Sequence, residues 1–205
     1  MTIELFNSED PKDYQKILEK YEGKNETKIG NILKSKSTLF SELEHFYKNE
    51  LHESIQKKSY MTLDELSKLM KYKLIRGKFR PSLQKKIDGN NPEIVISSTK
   101  DAIKLLHDGN WQAGLKVLID NLDGVGIATA SYIGAIVRPD LCPIMSDEVI
   151  QLICGKLDYT MKCYKSIQNV LVEKAAKLNS HHTSKKDDIY WTPYLVGEVL
   201  FLKNK

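Results

Sequence analysis

Apolar residues along this chain recur at intervals of three and four, the period of one helix face, and almost nowhere alternate as a half-buried strand requires. Asp10-Pro11 reads as a cap with proline at the first helical position. It leads into Tyr14, Ile17, Leu18 and Tyr21, before Glu22-Gly23-Lys24-Asn25 breaks the pattern. From about Thr38 to Lys58, the residues Phe40, Leu43, Phe46, Tyr47, Leu51 and Ile55 share one face with charges opposite, which predicts a single amphipathic helix. Thr62-Leu63-Asp64-Glu65 has the form of a capping box, followed by a stripe of Leu66, Leu69, Met70 and Leu74. Asn90-Asn91-Pro92 reads as a turn and Ile94-Val95-Ile96 as a short packed linker. Thr99 is then expected to cap a helix through Leu105, which Asp108-Gly109-Asn110 ends.

Helical spacing returns with Trp111, Leu115, Leu118, Ile119 and Leu122, and again with Ala130, Ile133, Gly134 and Val137. Between these runs lies Asp123-Gly124-Val125-Gly126, so residues 111–137 predict two short helices joined by a tight hairpin. Ser146 is positioned to cap a further helix with Asp147 at its first position. Tyr164, Ile167, Val170, Leu171 and Leu178 predict another helix, followed by a polar loop through Lys186 and a last helix from about Asp188 to Leu202. The expected architecture is all-α: one compact helical domain spanning residues 1–205, with little strand and no internal repeat.

At 205 residues and 41% hydrophobic content the chain is able to bury one sizeable core, which argues against a disordered or collagen-like protein. No apolar run approaches membrane-spanning length, and Met1-Thr2-Ile3-Glu4-Leu5 lacks the basic start and apolar stretch of a signal peptide. An intracellular protein, nuclear or cytoplasmic, is expected. Cys142, Cys154 and Cys163 fit neither a disulfide framework nor a zinc site and read as ordinary reduced thiols; no metal or cofactor is expected. The net charge of +4 suits a nucleic-acid partner without requiring one.

The hairpin carries the first chemistry. Glycine allows positive φ and close backbone approach, and the N–H groups that open the following helix lack intrahelical partners beside a positive dipole end. Leu122, Gly124, Val125, Gly126 and Thr129 are therefore candidates to hold a phosphate. About twenty residues beyond the hairpin stands Asp147. The segment from Leu122 to about Ile150 resembles the helix-hairpin-helix DNA glycosylase superfamily, in which a Leu-Pro-Gly-Val-Gly hairpin precedes an aspartate that opens the next helix. The resemblance implies that the hairpin grips a DNA backbone phosphate and that Asp147 assists cleavage of the N-glycosidic bond of a flipped base. Such chemistry builds positive charge on the sugar, which a fixed carboxylate stabilises.

Two departures from the family pattern stand out. Asp123 replaces the hairpin proline and brings negative charge near the phosphate site, which weakens binding unless its side chain turns away or a basic neighbour offsets it. Ala128 stands where bifunctional members carry a Schiff-base lysine, which implies a monofunctional enzyme with water as nucleophile. The iron–sulfur cluster of some members has no counterpart in three cysteines at these spacings.

A second candidate constellation is the basic run Lys71, Lys73, Arg76, Lys78 and Arg80, continuing to Lys85 and Lys86, with Tyr72 and Phe79 interleaved. Cations with aromatics track a nucleic-acid backbone and stack bases; the same run also serves as a solvated helix face. Asp147 likewise has a plain role as a helix-dipole partner, and Glu148 is the neighbouring spare carboxylate. Trp111, Tyr132 and Trp191 are candidate base-pocket walls, and His181 and His182 are expected to be exposed. The expected partner is lesion-containing double-stranded DNA bound by a monomer. The alternative is a noncatalytic nucleic-acid-binding or scaffold protein that keeps the hairpin fold.

Overall fold

The structure is a computed structural model that describes residues 2–22, 37–78, 80–180 and 189–204, and among these every regular element is helical. The N-terminal elements are α1 (Thr2–Asn7), α2 (Pro11–Glu22) and α3 (Ser37–His45). A π turn, Phe46–Glu50, joins α3 to α4 (Leu51–Lys58). The segment from Thr38 to Lys58 is thus not one regular helix, as its periodicity predicts. The wider turn rotates the helix face, so that the consecutive residues Phe46 and Tyr47 are both buried.

Helix α5 (Leu63–Arg76) starts on the predicted capping box. Glu65 N–H donates to Thr62 Oγ1 at 3.3 Å, and Thr62 N–H donates to Glu65 Oε2 at 2.8 Å. The same carboxylate accepts from Ser54 Oγ and from Lys58 Nζ, which ties α4 to the start of α5. Next come α6 (Pro81–Asp88) and α7 (Pro92–His107).

The start of α7 corrects the expected linker. Asn91 caps the helix, its side-chain oxygen accepting from the N–H groups of Glu93 and Ile94, with Pro92 at the first helical position. Thr99 is not a cap but an interior, fully buried residue. Its hydroxyl donates to Val95 O at 2.7 Å and accepts from Met61 N–H at 2.9 Å, anchoring the approach to α5.

The predicted hairpin consists of α8 (Trp111–Asn121) and α9 (Ile127–Val137). Helix α8 lies close against α7 because Gly114 has no side chain: a Cβ there would sit 2.9 Å from Ala102 O and 3.0 Å from Leu106 Cγ. The chain continues through α10 (Asp147–Cys154), α11 (Met161–Ser180) and α12 (Pro193–Lys203). Helix α12 starts at Pro193 rather than near Asp188, which lies outside the described residues together with His181 and His182. Thr192 accepts from Leu195 N–H as its cap, while Trp191, just ahead, exchanges two hydrogen bonds with the side chain of Asn179.

Buried apolar residues from Leu5 to Leu200 form one continuous core. Among the described residues, no helix is long and apolar enough to cross a membrane.

Candidate active site

The hairpin turn is built by Gly124, whose φ of +81° only glycine adopts cheaply. It presses on α6, since a Cβ at Gly124 would meet Lys86 Cβ at 3.0 Å and Leu83 O at 3.2 Å. Leu122 and Val125 are buried and fasten the turn from inside, and their N–H groups donate to Leu118 O and Leu122 O. Asn90, between α6 and α7, clamps the turn from outside. Asp123 N–H donates to Asn90 Oδ1 at 2.8 Å, and Asn90 Nδ2 donates to Asp123 O at 3.0 Å. The Asp123 residue itself is exposed and does not line the cleft described below. Gly126 caps α9 without a side chain, and a Cβ there would meet nothing within 4 Å. The N–H groups of Ile127 and Ala128 make no hydrogen bond among the described residues.

A cleft of about 530 Å³ opens in front of these amides. Gly124, Gly126, Ala128 and Thr129 form one side, Lys73, Arg76, Lys78 and Arg80 another, and Ser146, Asp147 and Glu148 a third. Residues far apart in sequence, singled out for separate reasons, thus share one concavity. Lys71 is exposed on α5 and does not line it, and Phe79 lies outside the described residues.

Arg76 departs from its expected place as a solvent-facing contact. Its side chain is only 4% exposed, and it donates to both oxygens of Glu198 at 2.9 and 2.8 Å and to Tyr72 OH at 3.0 Å. The guanidinium carbon lies 4.2 Å from the Phe201 ring centre. Burial opposes its charge, but Glu198 beside it more than compensates and holds the group protonated. Arg76 therefore forms the inner wall of the cleft, with much of its hydrogen-bonding capacity already engaged.

Lys73 is half-buried. Burial, and then the neighbouring charge of Arg80, pull its ammonium below the usual lysine range, against an opposing pull from Asp147. Asp147 is the exposed first residue of α10, one position after Ser146, whose Oγ accepts from Val149 N–H at 3.4 Å. Tyr159 O–H donates to Asp147 Oδ1 at 2.5 Å.

Of the three aromatic candidates, only Tyr132 lines the cleft. Trp111 packs edge-on against Tyr164 and Trp191 against Tyr14, both away from it. Met145, Tyr159 and Phe201 line the cleft without having been singled out in the sequence. Tyr159 sits in a loop with no periodic signal. A signal was present for the Arg76 pairing: Glu198 is the one acidic residue within the apolar run Tyr194–Leu202, and such a carboxylate needs a buried partner.

Comparison with protein-family models, curated proteins and solved structures finds no match.

The cysteines differ from their expected state. Cys154 and Cys163 are joined by a disulfide across a sequence separation of 9, and only Cys142 remains a free thiol, its pKa pushed up to about 12, chiefly by burial. The pairing follows from the abrupt end of α10 at Gly155, which turns the chain so that the first turn of α11 comes back beside Cys154. Among the described residues no group of histidine, cysteine or acidic side chains forms a metal site.

Proposed function

We propose that this protein is a monofunctional DNA glycosylase that hydrolyses the N-glycosidic bond of a damaged or mispaired base flipped out of duplex DNA. Its strongest support is the single cleft that unites the hairpin amides, the cations Lys73, Lys78 and Arg80, and Asp147. Its volume of about 530 Å³ falls within the range of small-molecule sites. Tyr132, Met145 and Phe201 supply apolar and aromatic wall for an extruded base.

In this reading the amides of Ile127 and Ala128, with the positive end of α9, take one backbone phosphate. Lys78 and Arg80 neutralise others along the strand. As the bond between the sugar C1′ and the base nitrogen breaks, its electron pair leaves with the base. The sugar gains positive charge, which the Asp147 carboxylate faces. Water then adds to C1′ and gives up a proton, which ends on the departing base nitrogen, so that nucleotide and water become free base and abasic sugar. Ala128 offers no amine for a covalent alternative at its position.

The test is mass-spectrometric detection of free bases released from alkylated, deaminated and oxidised duplex DNA by the protein and its Asp147→Asn variant. Release that requires Asp147 is the expected result. Salt-sensitive DNA binding by both proteins with no base released from any substrate would instead assign a noncatalytic nucleic-acid-binding protein.

A further inference from the structure

Helix α10 has a candidate reactive group at one end and a cross-link at the other. Asp147 opens it, and Cys154 closes it in a disulfide to Cys163 at the start of α11. The chain between the two cysteines does not leave the site. From Gly155, in the left-handed conformation at φ +75°, it doubles back along α10, and five residues after Cys154 it delivers Tyr159 to Asp147 Oδ1. From Asp147 to Cys154 the helix rises about 10 Å at 1.5 Å per residue, well within the reach of five extended residues.

Among the described residues, the hydrogen bonds that hold this loop lie at its two ends and at Tyr159. Residues 155–160 form no regular helix, and Leu157 and Tyr159 are 47% and 43% exposed. Its backbone is fixed at the two ends, where Gly155 N–H donates to Gln151 O and Cys163 N–H donates to Thr160 Oγ1. The side-chain hydrogen bond of Tyr159 among the described residues goes to Asp147. Partial burial, and then the hydrogen bond to Asp147, push the phenol up to about 12, so it is a neutral donor at physiological pH.

We propose that Tyr159 is the positioning residue for Asp147, and that the Cys154–Cys163 disulfide holds the loop that presents it, so that a dithiol reductant releases the carboxylate. One thiolate of the dithiol attacks a sulfur of the pair, breaking the S–S bond and forming a mixed disulfide, which the second thiol of the reductant resolves. Cys154 and Cys163 each gain an electron and a proton, and the dithiol leaves as a disulfide. In the reduced protein the loop loses its cross-link and the phenol its fixed approach to Oδ1. The consequence for base release rests on the glycosylase reading; the coupling of the loop to Asp147 does not.

The test follows Tyr159 by NMR of ring-labelled tyrosine and residues 155–160 by hydrogen exchange, in the full chain before and after dithiothreitol, with thiols counted by alkylation and mass spectrometry. In the oxidised protein Tyr159 is expected to titrate above the ordinary tyrosine value of about 10, and after reduction to move back toward it while exchange across 155–160 rises. In parallel, base release by Tyr159→Phe falls about ten-fold or more in kcat with KM for DNA unchanged. Reduction lowers the wild type to the same level, leaves Tyr159→Phe where it is, and is mimicked by Cys154→Ser.

Unchanged Tyr159 titration and exchange once both thiols are freed would overturn the proposal, as would free Cys154 and Cys163 thiols in protein purified without reductant. Wild-type kcat in oxidised Tyr159→Phe would overturn the positioning role. Absence of base release in every redox state removes the glycosylase reading alone, because the NMR and exchange results still decide whether the disulfide governs the contact.

Discussion

Arg76 and Glu198 meet in a buried two-pronged ion pair between two cavities, with Arg76 on the wall of the site cleft and Glu198 on the wall of a second cavity of about 510 Å³. The pair joins the end of α5 to the middle of α12 across 122 positions of sequence. It fixes the inner wall of that cleft.

Removing one partner leaves the other charge buried and uncompensated. Glu198→Gln and Arg76→Met are each expected to cost about 3–5 kcal/mol of stability, whereas the Arg76→Met/Glu198→Leu double variant recovers much of the loss. Urea unfolding of the four proteins measures this directly.

The two hairpin glycines separate fold from function. Gly124→Ala forces a positive φ on alanine and drives Cβ toward Lys86, so a loss of stability of about 1 kcal/mol or more is expected. Gly126→Ala has open space for its methyl group and the melting temperature is expected to change little, but in the proposed function that methyl stands in the path of a phosphate approaching the amides. Thermal melts paired with DNA-binding titrations are expected to show stability lost mainly in the first variant and affinity in the second.

Lys73 predicts an alkaline response. Its folded-state pKa lies below the value for an unfolded lysine, so between the two values the unfolded chain binds more protons and this residue's contribution to stability rises with pH. In the proposed function, DNA affinity is expected to run the other way, because the same deprotonation removes a cation from the cleft. In anisotropy titrations from neutral pH to about 10, affinity is expected to fall before ordinary lysines titrate, and Lys73→Gln is expected to lose that early decline.

Lys78 and Arg80 are exposed and line the cleft, so each is expected to act as a phosphate contact. Replacing either with alanine is expected to lower the slope of log affinity against log salt by about one, whatever the DNA sequence. Lys71→Ala, away from the cleft, serves as the control with an unchanged slope.

Borohydride added during turnover is expected to trap no covalent protein–DNA adduct, since Ala128 carries no amine. A trapped adduct that disappears in Lys73→Gln would make Lys73 the nucleophile and the enzyme bifunctional.

Elements specified by local chemistry were legible before the structure. The capping box at Thr62, the hairpin glycines and the Ser146 cap each act within a few residues, and each appears where the sequence places it. Asn91-Pro92 was ambiguous because an Asx side chain followed by proline serves both a turn and a helix start, and the consecutive apolar residues Ile94-Val95-Ile96 blurred the helical period. The burial of Arg76 was not legible locally, since its neighbours are cations and the residue that neutralises it lies on another helix. The approach of Cys154 to Cys163 depends on a reversal of the chain at Gly155 that no spacing rule encodes.

The double hydrogen bond between Asn90 and Asp123 makes the hairpin and α6, the helix that Arg80 of the basic wall opens, parts of a single caliper. Its jaws are α6 and the hairpin, locked corner to corner by one amide side chain and by the contact of Gly124 with Lys86. In the proposed function, a duplex entering such a caliper would meet a set gap, so the work of adjustment would fall on the nucleic acid: the backbone would have to bend, and the base leave its stack, for a sugar to reach Asp147. On that reading, lesions that already weaken stacking or pairing would meet the demand at the lowest cost, and the caliper itself would favour them before any atom of the base is read.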